Sequence, residues 1–166
     1  LYEETRRTAA CFRRHGIVPE QRVLLMVRPG ADLLRCCFAL FLIGAVPVLI
    51  DPGMGLRSFL NCVRRSRPEA MVGIPLAHIV SRLFPRAFAS VRQRVRVGKG
   101  FADRIRREDG GAESFILRKA DDPAAILFTS GSTGPPKGVA YEHGQFEAQV
   151  ELLRETFEVQ PGEVDL

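Results

Sequence analysis

Three short runs, RVLLMV, VPVLID and AMVGI, are apolar at nearly every position, and helix-patterned stretches separate them. A strand with no polar alternation has no face to turn toward water, so it belongs in a sheet covered on both sides. Strands joined by helical crossovers run parallel. The predicted fold class is therefore α/β, a mostly parallel sheet flanked by helices. Between the strands, Leu1, Thr5, Thr8 and Phe12 form one helical stripe that Gly16 brings to an end, and LLRCCFALFLI reads as a helix buried on every side. GLRSFLNCVRRS predicts a helix with Leu56, Leu60 and Val63 inward and its arginines outward. A further helical stretch from 75 to 90 carries Leu76, Ile79, Leu83 and Phe84 until Pro85 kinks or ends it.

Charge divides the rest of the chain. The formal net charge is +5, and it is concentrated where Arg92, Arg94, Arg96, Lys99, Arg104, Arg106 and Arg107 stand against Asp103 alone. The alternation VRQRVRVG predicts a strand with a buried valine face and a solvated arginine face. Nucleic-acid surfaces interleave such charge with aromatic platforms, and only Phe101 is available here, so no nucleic-acid partner is expected. Attraction to acidic surfaces or to acidic partner proteins, including other enzymes of a shared pathway, is the remaining use for the charge. Residues 1–97 are expected to form an α/β lobe, 98–123 an irregular charged connection, and 124–166 a strand-loop-strand element with a following helix. In that helix Phe146, Val150, Leu153 and Phe157 share one stripe, predicted to pack into a core.

Cys11, Cys36, Cys37 and Cys62 show neither disulfide-framework density nor metal-ligand spacing with His15, His78 or His143, which fits a reduced, cytoplasmic setting and no metal site. The stretch CCFALFLIGAVPVLI is too short for a comfortable membrane span, Gly44 and Pro47 interrupt it, and no signal-peptide pattern precedes it. Leu1 is not a start methionine and PGEVDL runs into what reads as a further element, so a piece of a longer chain is expected.

The densest local signal is FTSGSTGPPKGV, residues 128–139, which follows the apolar run AAILF with three glycines, four hydroxyl side chains and one lysine. A flexible linker is the plain alternative, but linkers do not emerge from a buried strand and close on Pro135 and Pro136 followed by a lysine. Gly131, Gly134 and Gly138 let backbone amides turn toward one point, while Thr129, Ser130, Ser132 and Thr133 add hydroxyls, a combination suited to an anion. Lys137 adds full charge, and hydrogen bonds to charged groups contribute about 1.5–3 kcal/mol each. A Walker A loop is excluded, because it would need glycine at 136 and serine or threonine at 138, where Pro136 and Gly138 stand. GVAY after the prolines predicts a strand, so no helix dipole receives the anion.

TSGSTGPPKGV, with His143 beyond it, resembles the phosphate-loop signature of the adenylate-forming superfamily, which includes acyl-CoA synthetases, luciferases and peptide-synthetase adenylation domains. LIGAVPVLIDP, residues 42–52, is similar to a second core motif of that superfamily. GAVPVLIDPGMG together with IPLAHIVSRLFPRAFASV more narrowly resembles the β-lactone synthetases of bacterial long-chain olefin biosynthesis, often labelled fatty-acid CoA ligases. The resemblance implies the N-terminal portion of an AMP-forming ligase. In such enzymes a carboxylate attacks the α-phosphate of ATP, pyrophosphate leaves, and the acyl adenylate is captured by a thiol or, in the lactone enzymes, by the substrate's own β-hydroxyl. It places Thr129, Ser130, Gly131, Ser132, Thr133, Gly134 and Lys137 on the phosphate loop. ATP, a fatty acid and Mg2+ are the implied ligands, with the magnesium ligands and the C-terminal catalytic-lysine domain expected mainly outside this chain. His143 receives no catalytic role, and Asp51 is expected to cap the element after its strand. The competing reading is a noncatalytic phosphate-binding or scaffold module that retains only the loop.

Overall fold

The computed structural model describes residues 1–109, 116–129, 136–160 and 162. Its helices are α1 (Tyr2–Arg14), α2 (Ala31–Ile43), α3 (Leu56–Ser66), α4 (Pro75–Leu83), α5 (Phe101–Arg106) and α6 (His143–Thr156). Its strands are β1 (Arg22–Met26), β2 (Val46–Ile50), β3 (Ala70–Gly73), β4 (Gln93–Arg96), β5 (Pro123–Thr129) and β6 (Lys137–Glu142). They form one sheet in the order β4-β3-β1-β2-β5-β6, parallel throughout except for the antiparallel pair β5 and β6. The apolar runs occupy its centre. In β1, Val23 and Leu25 enter one core with Phe12, Leu40 and Val95, while Leu24 enters the other with Val48, Phe59 and Met71. Alternate side chains of one strand thus fill both covered faces, which is why the run has no polar position.

β4 follows its alternation, with Val95 and Val97 buried and Arg94 and Arg96 exposed. α1 buries Thr5, Thr8 and Phe12 as its stripe predicts, although Leu1 stays exposed. Among the described residues no helix is long and apolar enough to cross a membrane.

Several expectations about facing require correction. α2 is not covered all round: Leu34 and Phe38 are exposed, and the buried Arg35 ties it to α1 through Glu4 at 2.7 Å. α3 turns Phe59, Cys62 and Val63 inward and leaves Leu56 exposed. α4 stops at Leu83, as the helix-averse position before Pro85 requires, but it buries Ala77 and Ser81 and turns Leu76, Ile79 and Leu83 outward. α6 buries none of its residues, so its apolar stripe does not pack into a core of the described chain. The stretch 98–123, expected to be irregular, contains α5, because Phe101 and Ile105 lie one turn apart and bury together against the α1 side. Charge around them hid that pair. β5 then joins β2 in the same sheet, with Ile50 opposite Phe128.

Candidate functional site

β5 delivers Thr129 and β6 begins at Lys137, and the antiparallel register sets these two residues opposite each other with Phe128 opposite Gly138. The ladder brings Thr129 and Lys137, which flank segment 130–135, together at the carboxyl edge of the parallel strands, where open α/β sheets bind ligands. Thr129 and Lys137 are exposed there, and Lys137 makes no ion pair with a described residue. An incoming anion therefore meets the ammonium without first displacing an internal carboxylate of that set. The other expected phosphate contacts, Ser130, Gly131, Ser132, Thr133 and Gly134, lie outside the described residues.

Gly138 serves a purpose different from the one its sequence context suggests. It is not among the residues with positive φ, so its backbone does not demand glycine. A Cβ at this position would stand 2.7 Å from Cζ and 2.8 Å from Cε1 of Phe128, so the ring forbids a side chain there. The nearly buried Phe128 packs beneath the ladder in the core shared with Val48, Ile50 and Phe59.

The base of the hairpin is held from three directions. Arg65, near the end of α3, donates from Nη1 to the Pro136 carbonyl at 3.3 Å. Arg118 donates to the Gly44 carbonyl at the end of α2 and pairs with Asp122 at 3.6 Å and Glu20 at 3.5 Å. The Asp122 carbonyl accepts from the His143 amide at 3.1 Å, joining the start of α6 to the start of β5. Sequence reasoning missed Arg65 and Arg118, because their partners are backbone carbonyls and remote side chains that leave no local pattern. At the start of α6, Glu142 and Gln145 form a reciprocal capping box.

Asp51 accepts from the Gly53 amide at 2.8 Å and caps a short 3-10 turn over Pro52–Met54, and register places it beside the end of β5. The His143 ring packs edge-on against Phe41 with centroids 5.9 Å apart. Burial pushes the Cys37 thiol up to about 11 and raises Cys11, Cys36 and Cys62 as well, so none of the four offers a ready thiolate at neutral pH. Among the described residues there is no cluster of three or more His, Cys, Asp or Glu side chains placed to hold a metal ion.

The parallel sheet and the antiparallel β5–β6 pair, with exposed Thr129 opposite exposed Lys137 at its carboxyl edge, define an α/β scaffold ending in a strand pair around segment 130–135. The AMP-binding enzyme family matches residues 1–165, and the chain belongs to that family. Within it, the sequence is 47% identical over 165 residues to the olefin β-lactone synthetase of Xanthomonas campestris pv. campestris, covering 95% of this chain and 30% of that protein. It is 44% identical over 164 residues to the protein of the same name from Stenotrophomonas maltophilia, again covering 95% of this chain and 30% of the relative. The chain thus spans about 30% of the length of these relatives. A crystal structure of a long-chain-fatty-acid-CoA ligase from Archaeoglobus fulgidus superposes with a TM-score of 0.79 at 21% identity, over 95% of this chain and 32% of that one. That likeness is one of fold.

Proposed function

We propose that the complete protein is an ATP-dependent, AMP-forming ligase that activates a long-chain β-hydroxy fatty acid and closes it to a β-lactone. In the first step a carboxylate oxygen attacks the α-phosphorus and pyrophosphate departs. In the second the β-hydroxyl oxygen attacks the acyl carbonyl, AMP leaves with the bonding pair, and the hydroxyl proton is lost to solvent or a base. Thr129, Ser130, Gly131, Ser132, Thr133, Gly134 and Lys137 hold the β- and γ-phosphates and offset the charge of departing pyrophosphate. The observation that carries this reading is the 47% identity to an olefin β-lactone synthetase along nearly the whole chain. The acceptor of the adenylate and the acid substrate rest on that likeness; the phosphate grip rests also on the hairpin that sets Lys137 across from Thr129.

Incubation of the complete gene product with ATP and a long-chain β-hydroxy acid, with and without CoA, tests the product. Mass spectra should show a lactone in both arms; a thioester formed only with CoA would replace this reading with a fatty acyl-CoA synthetase. A reading frame ending near Leu166 would instead favour the noncatalytic module. Lys137→Ala tests the phosphate grip. Loss of a charged hydrogen bond of about 1.5–3 kcal/mol slows ATP-pyrophosphate exchange by about 10- to 150-fold while leaving the unfolding transition in place. Exchange at the parental rate would remove Lys137 from the site.

A further inference from the structure

Helix α4 carries an apolar ridge on its solvent side. Leu76, Ile79 and Leu83 are 61%, 52% and 69% exposed, whereas Ala77 and Ser81 on the sheet side are each 2% exposed. Spacings of three and four keep the exposed three on one stripe. Nε2 of His78 lies 3.3 Å from the Val95 carbonyl oxygen, so the flank of α4 that carries His78 and, one turn later, Arg82 faces β4. On β4 itself, Arg94 stands opposite Met71 and Arg96 opposite Gly73. Met71 belongs to the core beneath α3 and α4, and a Cβ on Gly73 would meet Ala77 of α4, so both arginines leave the sheet on the α4 side. Arg82, Arg94 and Arg96 are exposed, and none of their side chains forms an ion pair or hydrogen bond with a described residue. β4 is the sheet edge opposite β6, so this face is remote from the phosphate hairpin.

We propose that the α4–β4 face docks on an anionic lipid surface. Interfacial helices sink an apolar stripe to the acyl boundary while adjoining cations meet the headgroups, and the ridge and its three unpaired guanidiniums match both parts of that arrangement. The shape selects among acidic partners. A nucleic acid or a polyacidic chain would leave the aliphatic ridge in water, whereas a lipid surface takes up the ridge and the cations together. The face does not depend on the proposed adenylation chemistry.

The complete gene product is to be co-sedimented with vesicles made of equal parts phosphatidylcholine and phosphatidylglycerol, and separately with phosphatidylcholine alone. It should follow the anionic vesicles, remain in solution with the neutral ones, and be released by added salt. Arg94→Ala and Arg96→Ala should each weaken partition about fivefold, the equivalent of about 1 kcal/mol per surface cation. Leu76→Ser combined with Ile79→Ser should abolish partition with the melting temperature unchanged, since both side chains are exposed in the folded chain. An Ile79→Cys variant labelled with an environment-sensitive maleimide dye should react without lipid and shift its emission to the blue on anionic vesicles. Binding to neither vesicle, partition unaffected by these variants, a dye that cannot reach position 79, or retention on polyglutamate or single-stranded DNA without vesicle binding would each overturn the proposal.

Discussion

Gly138→Ala is the sharpest probe of how the hairpin is built. The backbone at 138 is open to alanine, since its φ is not positive, so the penalty arises from the methyl group alone. That methyl would sit 2.7–2.8 Å from two carbons of the Phe128 ring, where the nearest comfortable carbon contact is about 3.5 Å. The missing distance of roughly 0.7 Å must come from one of two places. Phe128 can press inward against Val48, Ile50 and Phe59, an overpacking that costs about 1–3 kcal/mol. Alternatively β6 lifts away, which weakens the ladder bonds and separates Lys137 from Thr129. Either response lowers the denaturant midpoint of the complete gene product, and the second also slows ATP-pyrophosphate exchange. Phe128→Leu leaves a void of its own and destabilises too, so the decisive quantity is the coupling. Combined with Gly138→Ala it should fill its void with the new methyl, making the double variant more stable than the summed singles by at least about 0.5 kcal/mol. Additive losses, or a Gly138→Ala protein as stable as the parent, would show that the ring does not dictate glycine at 138.

Two smaller effects follow from the same structure. Asp51→Ala removes the acceptor that holds the Gly53 amide at 2.8 Å and should cost about 1 kcal/mol by denaturant unfolding, with Asp51→Asn recovering most of it. The buried thiols predict alkaline sensitivity. The folded chain raises Cys37 from 9.0 to about 11, and Cys11, Cys36 and Cys62 also rise, so the unfolded chain releases protons first as pH climbs. Stability from this source is therefore complete below pH 9 and declines through about pH 11, which unfolding free energies measured across that range should show. Substituting Cys37 with serine should flatten the decline, and an unchanged slope would mean that other groups cause it.

The centre of the fold was legible because burial on both faces leaves a compositional mark. RVLLM, VPVLI and AMVG became β1, β2 and β3 within a residue or so of the apolar runs, and the valine-arginine alternation of β4 marked a strand with one wet face. The hairpin was legible for a different reason: hydroxyls and glycines between an apolar strand and two prolines, with a lysine directly after them, have few structural uses. What escaped was every interaction whose other half lies far along the chain. Arg65 looked like one more solvated arginine until its carbonyl partner at Pro136 was placed, and Gly138 looked like a flexible residue until the Phe128 ring appeared across the ladder.

Helical facing failed for a related physical reason. Period identifies which side chains share a stripe, but it does not say whether anything covers the stripe. α1 and α4 have comparably clear apolar patterns; α1 lies over the sheet with α2 and α5 beside it and buries Thr5, Thr8 and Phe12, whereas α4 sits at the β4 edge and presents Leu76, Ile79 and Leu83 outward. At the other edge, α6 follows β6, the last strand, and Val150, Leu153 and Phe157 are likewise exposed. Strand order, which no local window contains, therefore decides whether a hydrophobic stripe stabilises this chain's own core or is left to face the surroundings. For α4 the adjoining arginines give that exposed stripe a chemical direction; along α6 the described residues supply no such cationic border, so the two ridges call for different explanations despite their similar spacing.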